Sequence, residues 1–200
     1  MMTVGIVLSA GESKRMGTPK QLLPWGKTFI LQQVIDNASA SRLGKILLVL
    51  GCRADEIVGK ITTLSKTTIV INHNFKEGMG SSLICGIKNA PADAEAFMLL
   101  LGDQPFISYE IINRVLNNYK KSNHGIVIPV YCGRRGHPVI FDAKYKEELL
   151  AISDQGAKAV VNNHLQDIIE VRIDAPEILT DIDTPQDYQN AIGKTEPTQK

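Results

Sequence analysis

Apolar runs and amphipathic stretches alternate along most of this chain. Short runs of β-branched and leucine residues predict buried strands at residues 4–8, 45–50, 68–71, 96–101, 126–131, 139–141 and 168–171. Apolar residues at helical spacing predict helices between them, including one capped by Thr28, one over residues 54–64, one starting near Ser81 and one capped by Ser108. This alternation implies parallel strands joined by right-handed crossovers, with ligands bound beyond the carboxyl ends of the strands. We therefore expect an α/β protein, a Rossmann-like three-layer sandwich with a mostly parallel sheet.

Length and composition add a single-domain organisation to this picture. The 200 residues, 44% of them hydrophobic, suffice for one domain with its own core, and no linker rich in serine, proline or glycine divides them. We expect the domain to span residues 1–192 and residues 193–200 to form a flexible tail. The formal charge of +1 gives no bulk attraction to nucleic acid or to an anionic membrane, so neither is expected as a partner.

Cysteine spacing and the first residues bear on the cellular compartment. Cys52, Cys85 and Cys132 lie far apart and form no Cys-x-x-Cys pair, which argues against a disulfide framework or a structural zinc site. Met1 leads almost directly into a strand, and no apolar run approaches membrane-spanning length. We therefore expect no signal peptide, no membrane anchor and a cytoplasmic location.

The strand at residues 4–8 runs into a loop with two glycines and two candidate anion-binding cations. Gly11 and Gly17 let the backbone turn its N–H groups inward, and Arg15 and Lys20 lie where they could hold an anion. A planar guanidinium beside a compact ammonium suits a polyphosphate better than a single carboxylate. The spacing matches neither Gly-x-x-x-x-Gly-Lys-Ser/Thr nor Gly-x-Gly-x-x-Gly. The alternative is a glycine-rich loop whose two cations are solvated.

Aspartates follow two later segments. Asp103 comes just after the strand at residues 96–101, and parallel strands would bring it to the sheet edge that carries the opening loop. Asp181 and Asp183 point the same way from an extended segment, because side chains alternate with period two. Magnesium commonly uses one or two carboxylates together with substrate phosphates. We expect Asp103 and Asp183 to hold magnesium, with Asp181 as the alternative second ligand. The competing interpretations are an ordinary turn for Asp103 and solvent exposure for Asp183.

Gly78, Met79 and Ser82 lie where a loop meets a predicted helix. The first N–H groups of that helix could meet a phosphate or a base edge. A capped helix without a ligand fits the sequence equally well, and Met79 could belong to the core.

Two later turns hold further polar residues. Arg135 belongs to a glycine-flanked double arginine before His137 and could bind an anion on a second substrate, although a lone histidine in a turn is more often structural. Asp154 and Gln155 precede Gly156, where in bare physical terms they form a cap and a turn.

These segments together resemble the MobA-like nucleotidyltransferases. The family signature Leu-x-x-Gly-x-x-x-Arg-Met-Gly-x-x-Lys is matched at Leu8, Gly11, Arg15, Met16, Gly17 and Lys20. The resemblance extends from Val4 to Tyr188 and includes residues 78–83, 102–105, 136–138, 154–156 and 181–185. The Gly-His-Pro and Asp-Gln-Gly elements resemble the molybdenum cofactor (molybdopterin) cytidylyltransferase branch.

The resemblance implies a fold, a reaction and a set of site residues. The implied fold is that of the nucleotide-diphospho-sugar transferases, and the implied reaction moves CMP from CTP to the terminal phosphate of molybdopterin, the organic part of the molybdenum cofactor, with release of pyrophosphate. It implies magnesium, for which manganese can substitute, and apo-molybdoenzymes of the xanthine dehydrogenase type as partners. It places the nucleotide at Leu8, Ser9, Ala10, Gly11, Gly17, Gly78, Met79 and Ser82, and the second substrate at Arg135, Gly136, His137, Pro138, Asp154 and Gln155.

Three positions bear on the choice of base and second substrate. The guanylyltransferase branch typically has two glycines after its Leu-Ala opening, whereas this chain has Ala10, whose extra methyl favours a smaller base. Ser9 stands where the family commonly has alanine, and Ile84 where an arginine is frequent.

The candidate catalytic residues suit an in-line displacement without a covalent intermediate. No serine–histidine–acid order and no cysteine beside a base can be placed in the sequence. Lys20 would steady the α-phosphate, Arg15 would neutralise the departing pyrophosphate and Asp103 would hold the metal ion. A phosphate monoester is already a competent nucleophile at neutral pH, so orientation and charge stabilisation can replace a general base.

Three other functions compete with this prediction. The runner-up is a nucleotidyltransferase for a sugar or polyol phosphate. A cofactor carrier or chaperone that performs no chemistry is the second alternative, and the paired aspartates argue against it. A flavin- or nicotinamide-dependent oxidoreductase is the third, and the chain lacks the glycine fingerprint expected of one.

Overall fold

The structure, a computed structural model, describes residues 2–153 and 156–195. Its strands are β1 (Thr3–Ser9), β2 (Pro24–Trp25), β3 (Thr28–Phe29), β4 (Lys45–Leu50), β5 (Thr67–Ile71), β6 (Ala96–Leu101), β7 (Ile126–Tyr131), β8 (Arg134–Arg135), β9 (Val139–Asp142) and β10 (Ile168–Arg172). Its α-helices are α1 (Ile30–Ala40), α2 (Ala54–Val58), α3 (Met79–Lys88), α4 (Tyr109–Lys121), α5 (Lys146–Leu150), α6 (Lys158–Asn163) and α7 (Pro185–Thr195). None of the described helices is long and apolar enough to cross a membrane.

A twisted sheet in the order β10-β7-β9-β6-β1-β4-β5 forms the middle layer, with β8 paired to β7 and a separate β2–β3 hairpin. One face of the sheet packs against α1, α2 and α4 through a core that includes Val7, Ile35 and Val115. The other face packs against α3, α5 and α6 through residues such as Ile6 and Ile87. Helices on both faces of a mostly parallel sheet confirm the predicted three-layer α/β fold.

Two strands depart from the parallel arrangement that the alternating pattern implied: the short β8, which pairs antiparallel with β7, and β9. β9 lies between β6 and β7 and runs antiparallel to both, with Phe141 opposite Phe97 and Ile126. Only residues 132–138 connect β7 to β9, and a parallel connection needs a crossover of a dozen or more residues. The short connection therefore requires the reversal.

The helix predicted over residues 54–64 is shorter in the structure, so the predicted length is wrong. α2 ends at Val58, and Gly59, a poor helix former, follows it. Gln32 of α1 then binds both backbone groups of Thr62: its Oε1 accepts from the Thr62 N–H at 2.8 Å, and its Nε2 donates to the Thr62 carbonyl at 2.9 Å. These two bonds replace the helical partners that a longer α2 would have supplied.

Of the predicted helix starts, those at residue 54 and after Ser108 are confirmed, whereas those at Thr28 and Ser81 differ from the structure by one and two residues. Thr28 lies in β3, so Phe29 rather than Thr28 precedes α1, and α3 begins at Met79 instead of near Ser81. Ser108 caps α4 by accepting from the Ile111 N–H. α7 begins at Pro185 and continues to Thr195, beyond the predicted domain boundary at residue 192, while residues 196–200 lie outside the described part of the chain.

Gly86 shows how closely α3 approaches the sheet. A Cβ at this position would lie 2.5 Å from Cγ2 of Ile6 and 3.2 Å from Cγ2 of Val49.

We expect Gly86→Ala to lower the free energy of unfolding by about 1–3 kcal/mol, because the methyl would overpack this contact. Gly193→Ala in α7 is the matched control, since a Cβ there meets nothing within 4 Å. Urea unfolding should show the control unchanged or more stable by up to about 1 kcal/mol; equal destabilisation by both substitutions would contradict the packing argument.

Candidate active site

The parallel pairing of β1 with β6 brings the opening loop beside Asp103. Leu8 of β1 lies opposite Leu101 of β6, and the Gly102 N–H donates to the Leu8 carbonyl at 2.9 Å. A Cβ at Gly102 would lie 2.6 Å from Oγ of Ser9, so glycine permits the two strand ends to approach this closely. Asp103 therefore reaches the sheet edge at which the sequence placed it.

The segment before α7 supplies the third part of the site. Ile182 is fully buried against Trp25, Ile30 and Ala191, and its N–H donates to the Asp103 carbonyl at 3.1 Å. Because side chains alternate along an extended segment, burial of Ile182 turns the aspartates on either side of it towards the site.

A capping box holds the chain beyond this segment. The Asp187 N–H donates to Thr184 Oγ1 at 3.2 Å, and the Thr184 N–H donates to Asp187 Oδ2 at 2.8 Å. The start of α7 is thereby fixed directly after Asp183.

Lys20 joins these segments through its ammonium group. Its Nζ lies 2.5 Å from Asp103 Oδ2 and 2.7 Å from Asp183 Oδ1, so the two carboxylate oxygens can be no farther apart than the sum of these distances. Arg15 Nη2 reaches the other oxygen of Asp183 at 2.9 Å. Burial alone would lower the pKa of Lys20, but the two carboxylates outweigh it and raise that pKa. Burial would likewise raise the pKa of Asp183, yet Lys20 and Arg15 hold it below its usual value.

Asp181 faces a different partner from Asp183. Its Oδ1 accepts a hydrogen bond of 2.6 Å from Nε2 of Gln104, a residue that is almost fully buried. Burial and the negative charge of Asp103 raise the pKa of Asp181. Asp183 and Asp181 are the two candidates for a second metal-binding carboxylate. Of these, only Asp183 shares the Lys20 ammonium with Asp103 among the ion pairs of the described residues.

The opening loop turns its carbonyls inward and leaves N–H groups without a protein acceptor. Gln21 is buried and donates from Nε2 to the carbonyls of Ser9 and Gly11 at 3.3 and 3.2 Å, while its Oε1 accepts from Ser13 Oγ at 3.2 Å. Among the described residues, none accepts a hydrogen bond from the N–H groups of residues 11–13. Successive free N–H groups beside two cations form an anion-binding concavity.

Loop, aspartates and the start of α3 enclose a cavity of about 450 Å³, which we call the charged cavity. The predicted nucleotide, catalytic and metal residues that line it are Leu8, Ser9, Ala10, Gly11, Arg15, Lys20, Gly78, Met79, Ser82, Asp103, Asp181 and Asp183. Met79 is 61% exposed, so its alternative assignment to the core is wrong.

A second cavity of about 540 Å³, the acceptor cavity, adjoins the first and shares Leu8, Gly78 and Met79 with it. Its wall includes apolar side chains such as Ile84 and polar groups from Glu77, Ser81, Ser153, His137 and Lys158. Burial lowers the pKa of His137, whose buried Nδ1 has no hydrogen-bond partner among the described residues. The two cavities adjoin each other, and most of the charged side chains line the first.

Several predicted residues lie outside both cavities. Arg135 on β8 forms an ion pair of 2.7 Å with Glu170 of β10 and lines neither cavity. Gly136 packs against the Ile178 carbonyl with no room for a Cβ, so close packing explains its glycine. Gly17 and Pro138 line neither cavity, and Asp154 and Gln155 lie outside the described residues.

Sequence reasoning assigned no role to five side chains at the site. Gln21 and Gln104 make the buried hydrogen bonds described above, and each stands next to a residue that was singled out, Lys20 or Asp103. Phe75 and Lys76 line the charged cavity, and Lys158 lines the acceptor cavity. No spacing rule marks these positions, because their importance depends on contacts between distant segments.

The charged cavity suits a divalent cation. Asp103 Oδ1 is buried without a hydrogen-bond partner among the described residues, and its other oxygen shares the Lys20 ammonium with Asp183. Two carboxylates combined with phosphate and water oxygens are a donor set that magnesium accepts. The described residues contain no cluster of three or more acidic, histidine or cysteine ligands, so substrate and water would complete the coordination.

Comparison with known proteins agrees with this geometry. The sequence model of the MobA-like NTP transferase domain matches residues 5–168. The chain is 29% identical over 190 residues to the molybdenum cofactor cytidylyltransferase of Escherichia coli K12, covering 93% of each chain. It is also 29% identical over 179 residues to nicotine blue oxidoreductase of Paenarthrobacter nicotinovorans, covering 83% of this chain and 85% of the relative.

A solved structure extends the likeness to three dimensions. Rv0371c from Mycobacterium tuberculosis H37Rv superimposes with a TM-score of 0.85 at 28% identity, over 96% of this chain and 98% of that one. A structure of Rv0371c in complex with manganese gives a TM-score of 0.82 at 26% identity, over 96% and 99% of the two chains.

The Gln21 contacts predict that this side chain supports the loop. Gln21→Leu would leave the Ser9 and Gly11 carbonyls unpaired, so we expect it to lower the free energy of unfolding by about 1–3 kcal/mol and to weaken nucleotide binding. Gln33→Leu is the matched control, because the Gln33 side chain bonds to Asn37 on the same helix, away from the loop. Chemical unfolding and calorimetric titration with nucleotide would measure both effects, and equal results for the two variants would contradict the supporting role of Gln21.

Proposed function

This chain belongs to the MobA-like NTP transferase family of nucleotidyltransferases, and we propose that it transfers CMP from CTP to the terminal phosphate of molybdopterin, releasing pyrophosphate. The observation that carries the proposal is the Lys20 ammonium between Asp103 and Asp183, set in a charged cavity that adjoins a second cavity with fewer charged side chains. A product of this kind would serve apo-molybdoenzymes of the xanthine dehydrogenase type in the cytoplasm.

The charged cavity would hold the triphosphate. Residues 11–13, whose N–H groups have no acceptor among the described residues, line the same space as Arg15 and Lys20, so backbone donors and two cations could share the phosphate oxygens. In this arrangement Lys20 steadies the α-phosphate and Arg15 neutralises the departing pyrophosphate. Asp103 and Asp183 would hold a magnesium or manganese ion, whose chemistry is to neutralise phosphate charge and favour in-line displacement.

The acceptor cavity would hold the second substrate beside the reacting phosphate. Its shared wall with the charged cavity brings the two substrates together, and their orientation supplies much of the rate enhancement. The incoming phosphate oxygen forms a bond to the α-phosphorus as the bond to the pyrophosphate oxygen breaks. Lys158 and His137 are the polar groups positioned to orient that phosphate or its pterin.

Ala10 supports the choice of a small base, because it lines the charged cavity and glycine at this position would leave more room. The chain's likeness to the Escherichia coli cytidylyltransferase points in the same direction.

Identity alone does not distinguish transfer from redox chemistry, because the oxidoreductase relative is also 29% identical. The paired aspartates bridged by Lys20 favour phosphoryl chemistry, for which charge neutralisation is the main requirement.

A nucleotide panel tests the proposed reaction. Purified protein with magnesium should release pyrophosphate from CTP when molybdopterin is present, and the other nucleoside triphosphates should react more slowly. Sugar and polyol phosphates serve as competing acceptors in the same assay. Turnover with a sugar phosphate and none with molybdopterin would replace the proposed substrate, while absence of pyrophosphate with every acceptor would favour a carrier.

Asp103→Asn tests whether the chain catalyses the transfer. The amide keeps the shape of the side chain but removes its charge, so we expect pyrophosphate release to fall about 100-fold or more. Asp93→Asn, an exposed aspartate in the turn before β6, is the matched control and should retain full activity. Unchanged turnover by the Asp103 variant would contradict the proposed role.

A further inference from the structure

Asn72 lies at the centre of a hydrogen-bond network under the wall of the charged cavity. It follows β5 directly, is 4% exposed, and its backbone N–H donates to the Leu50 carbonyl at 2.7 Å. Its side-chain Nδ2 donates to Ser81 Oγ at 2.9 Å and to Ser82 Oγ at 3.0 Å. Asn72 therefore connects the end of the sheet to the first turn of α3.

A backbone donor fixes the orientation of the Asn72 amide. The Asn74 N–H lies 2.9 Å from Oδ1 of Asn72, and an N–H group requires an acceptor at that position. The other end of the amide must then be the NH₂ group, which can donate one proton to each serine. Both serine hydroxyls accordingly accept from Asn72.

The two serines differ in where their own protons go. Ser81 Oγ lies 2.9 Å from the Asn74 carbonyl and 2.8 Å from the Gly78 carbonyl, so its proton has acceptors in the loop. Ser82 is 4% exposed and lines the charged cavity, and its hydroxyl has no acceptor among the described residues. A hydroxyl that already accepts from one side and has no protein acceptor can donate to a ligand.

From this network we infer that Asn72 is a positioning residue that holds Ser82 as a hydrogen-bond donor towards the charged cavity, where it recognises the acceptor edge of the nucleobase. Cytosine offers a ring nitrogen and a carbonyl oxygen as neighbouring acceptors on that edge. The inference rests on the proposed nucleotide-binding function and adds to it the residue that sets the polarity of the base subsite.

Asn72→Asp tests the direction of the Ser82 bond with little change in shape. The introduced carboxylate can still accept from the Asn74 N–H, but its second oxygen accepts where the amide donated. The Ser82 proton then turns towards that oxygen and presents a lone pair to the base. We expect the Kd for CTP, measured by calorimetry in the presence of magnesium, to rise roughly tenfold or more.

Inorganic tripolyphosphate separates positioning from a general effect on the fold. It can engage the opening loop but has no base, so its Kd should stay unchanged in Asn72→Asp. Asn74→Asp is the matched control, because it adds the same charge to an exposed residue two positions away that meets the network only through its backbone. This control should bind both CTP and tripolyphosphate as the unaltered protein does.

Ser82→Ala provides a second route if the first variant folds poorly. It removes the donor while leaving the bond from Asn72 to Ser81, and its Kd for CTP should rise to a similar extent. Because the two substitutions remove the same interaction, the double variant should be no weaker than the worse single variant.

Each remaining outcome overturns the inference. Equal CTP binding by Asn72→Asp and Asn74→Asp would remove the positioning role while leaving the proposed function intact. Parallel losses of CTP and tripolyphosphate binding would show a structural role for Asn72 instead. Failure of the unaltered protein to bind CTP would overturn the proposed function, and this inference with it.

Discussion

The ion pairs of Lys20 are the constraint on which the rest of the site depends. One half-buried ammonium meets carboxylates that lie 83 and 163 residues away in the chain, and without a cation those two negative charges would repel each other at close range. Partly buried ion pairs often give little net stability, because desolvation offsets much of the attraction. The main consequence of this contact is therefore placement, because it gathers into one small volume the charges that the proposed triphosphate and metal ion would require.

The sheet supplies the rigidity that this gathering needs. Asp103 takes its position from the pairing of β1 with β6, and Asp183 takes its position from the burial of Ile182 and from the capping box that follows it. Gln21 holds the opening loop in position by donating hydrogen bonds to two of its carbonyls. The backbone beside each of these charged side chains is therefore held in place by buried or hydrogen-bonded neighbours. The geometry of the site does not rely only on exposed side chains such as that of Arg15.

Local patterns predicted the seven longer strands and the three-layer architecture, because strand ends, glycines and caps follow short-range rules, whereas the two-residue strands β2, β3 and β8 were not predicted. The antiparallel direction of β9 was missed because it follows from a connection too short for a crossover. The true end of α2 depends on Gln32, a residue of another helix. The partner of Arg135, Glu170, comes from a strand 35 residues away and could not be inferred from the local sequence. The prediction failed where a distant partner decides the outcome, and Gln21, Gln104 and Asn72 escaped notice for the same reason.

The boundary between the two cavities explains a side chain that would otherwise be anomalous. Met79 is large, apolar and 61% exposed, although it stands at the start of a helix whose next turns are buried. It belongs to the walls of both cavities, so ligands on either side would cover it and remove its apolar surface from water. A flexible thioether can adapt to differently shaped neighbours. The charged cavity is consequently bounded by paired, hydrogen-bonded groups, whereas the acceptor cavity is bounded by the flexible Met79 and by apolar side chains such as Ile84.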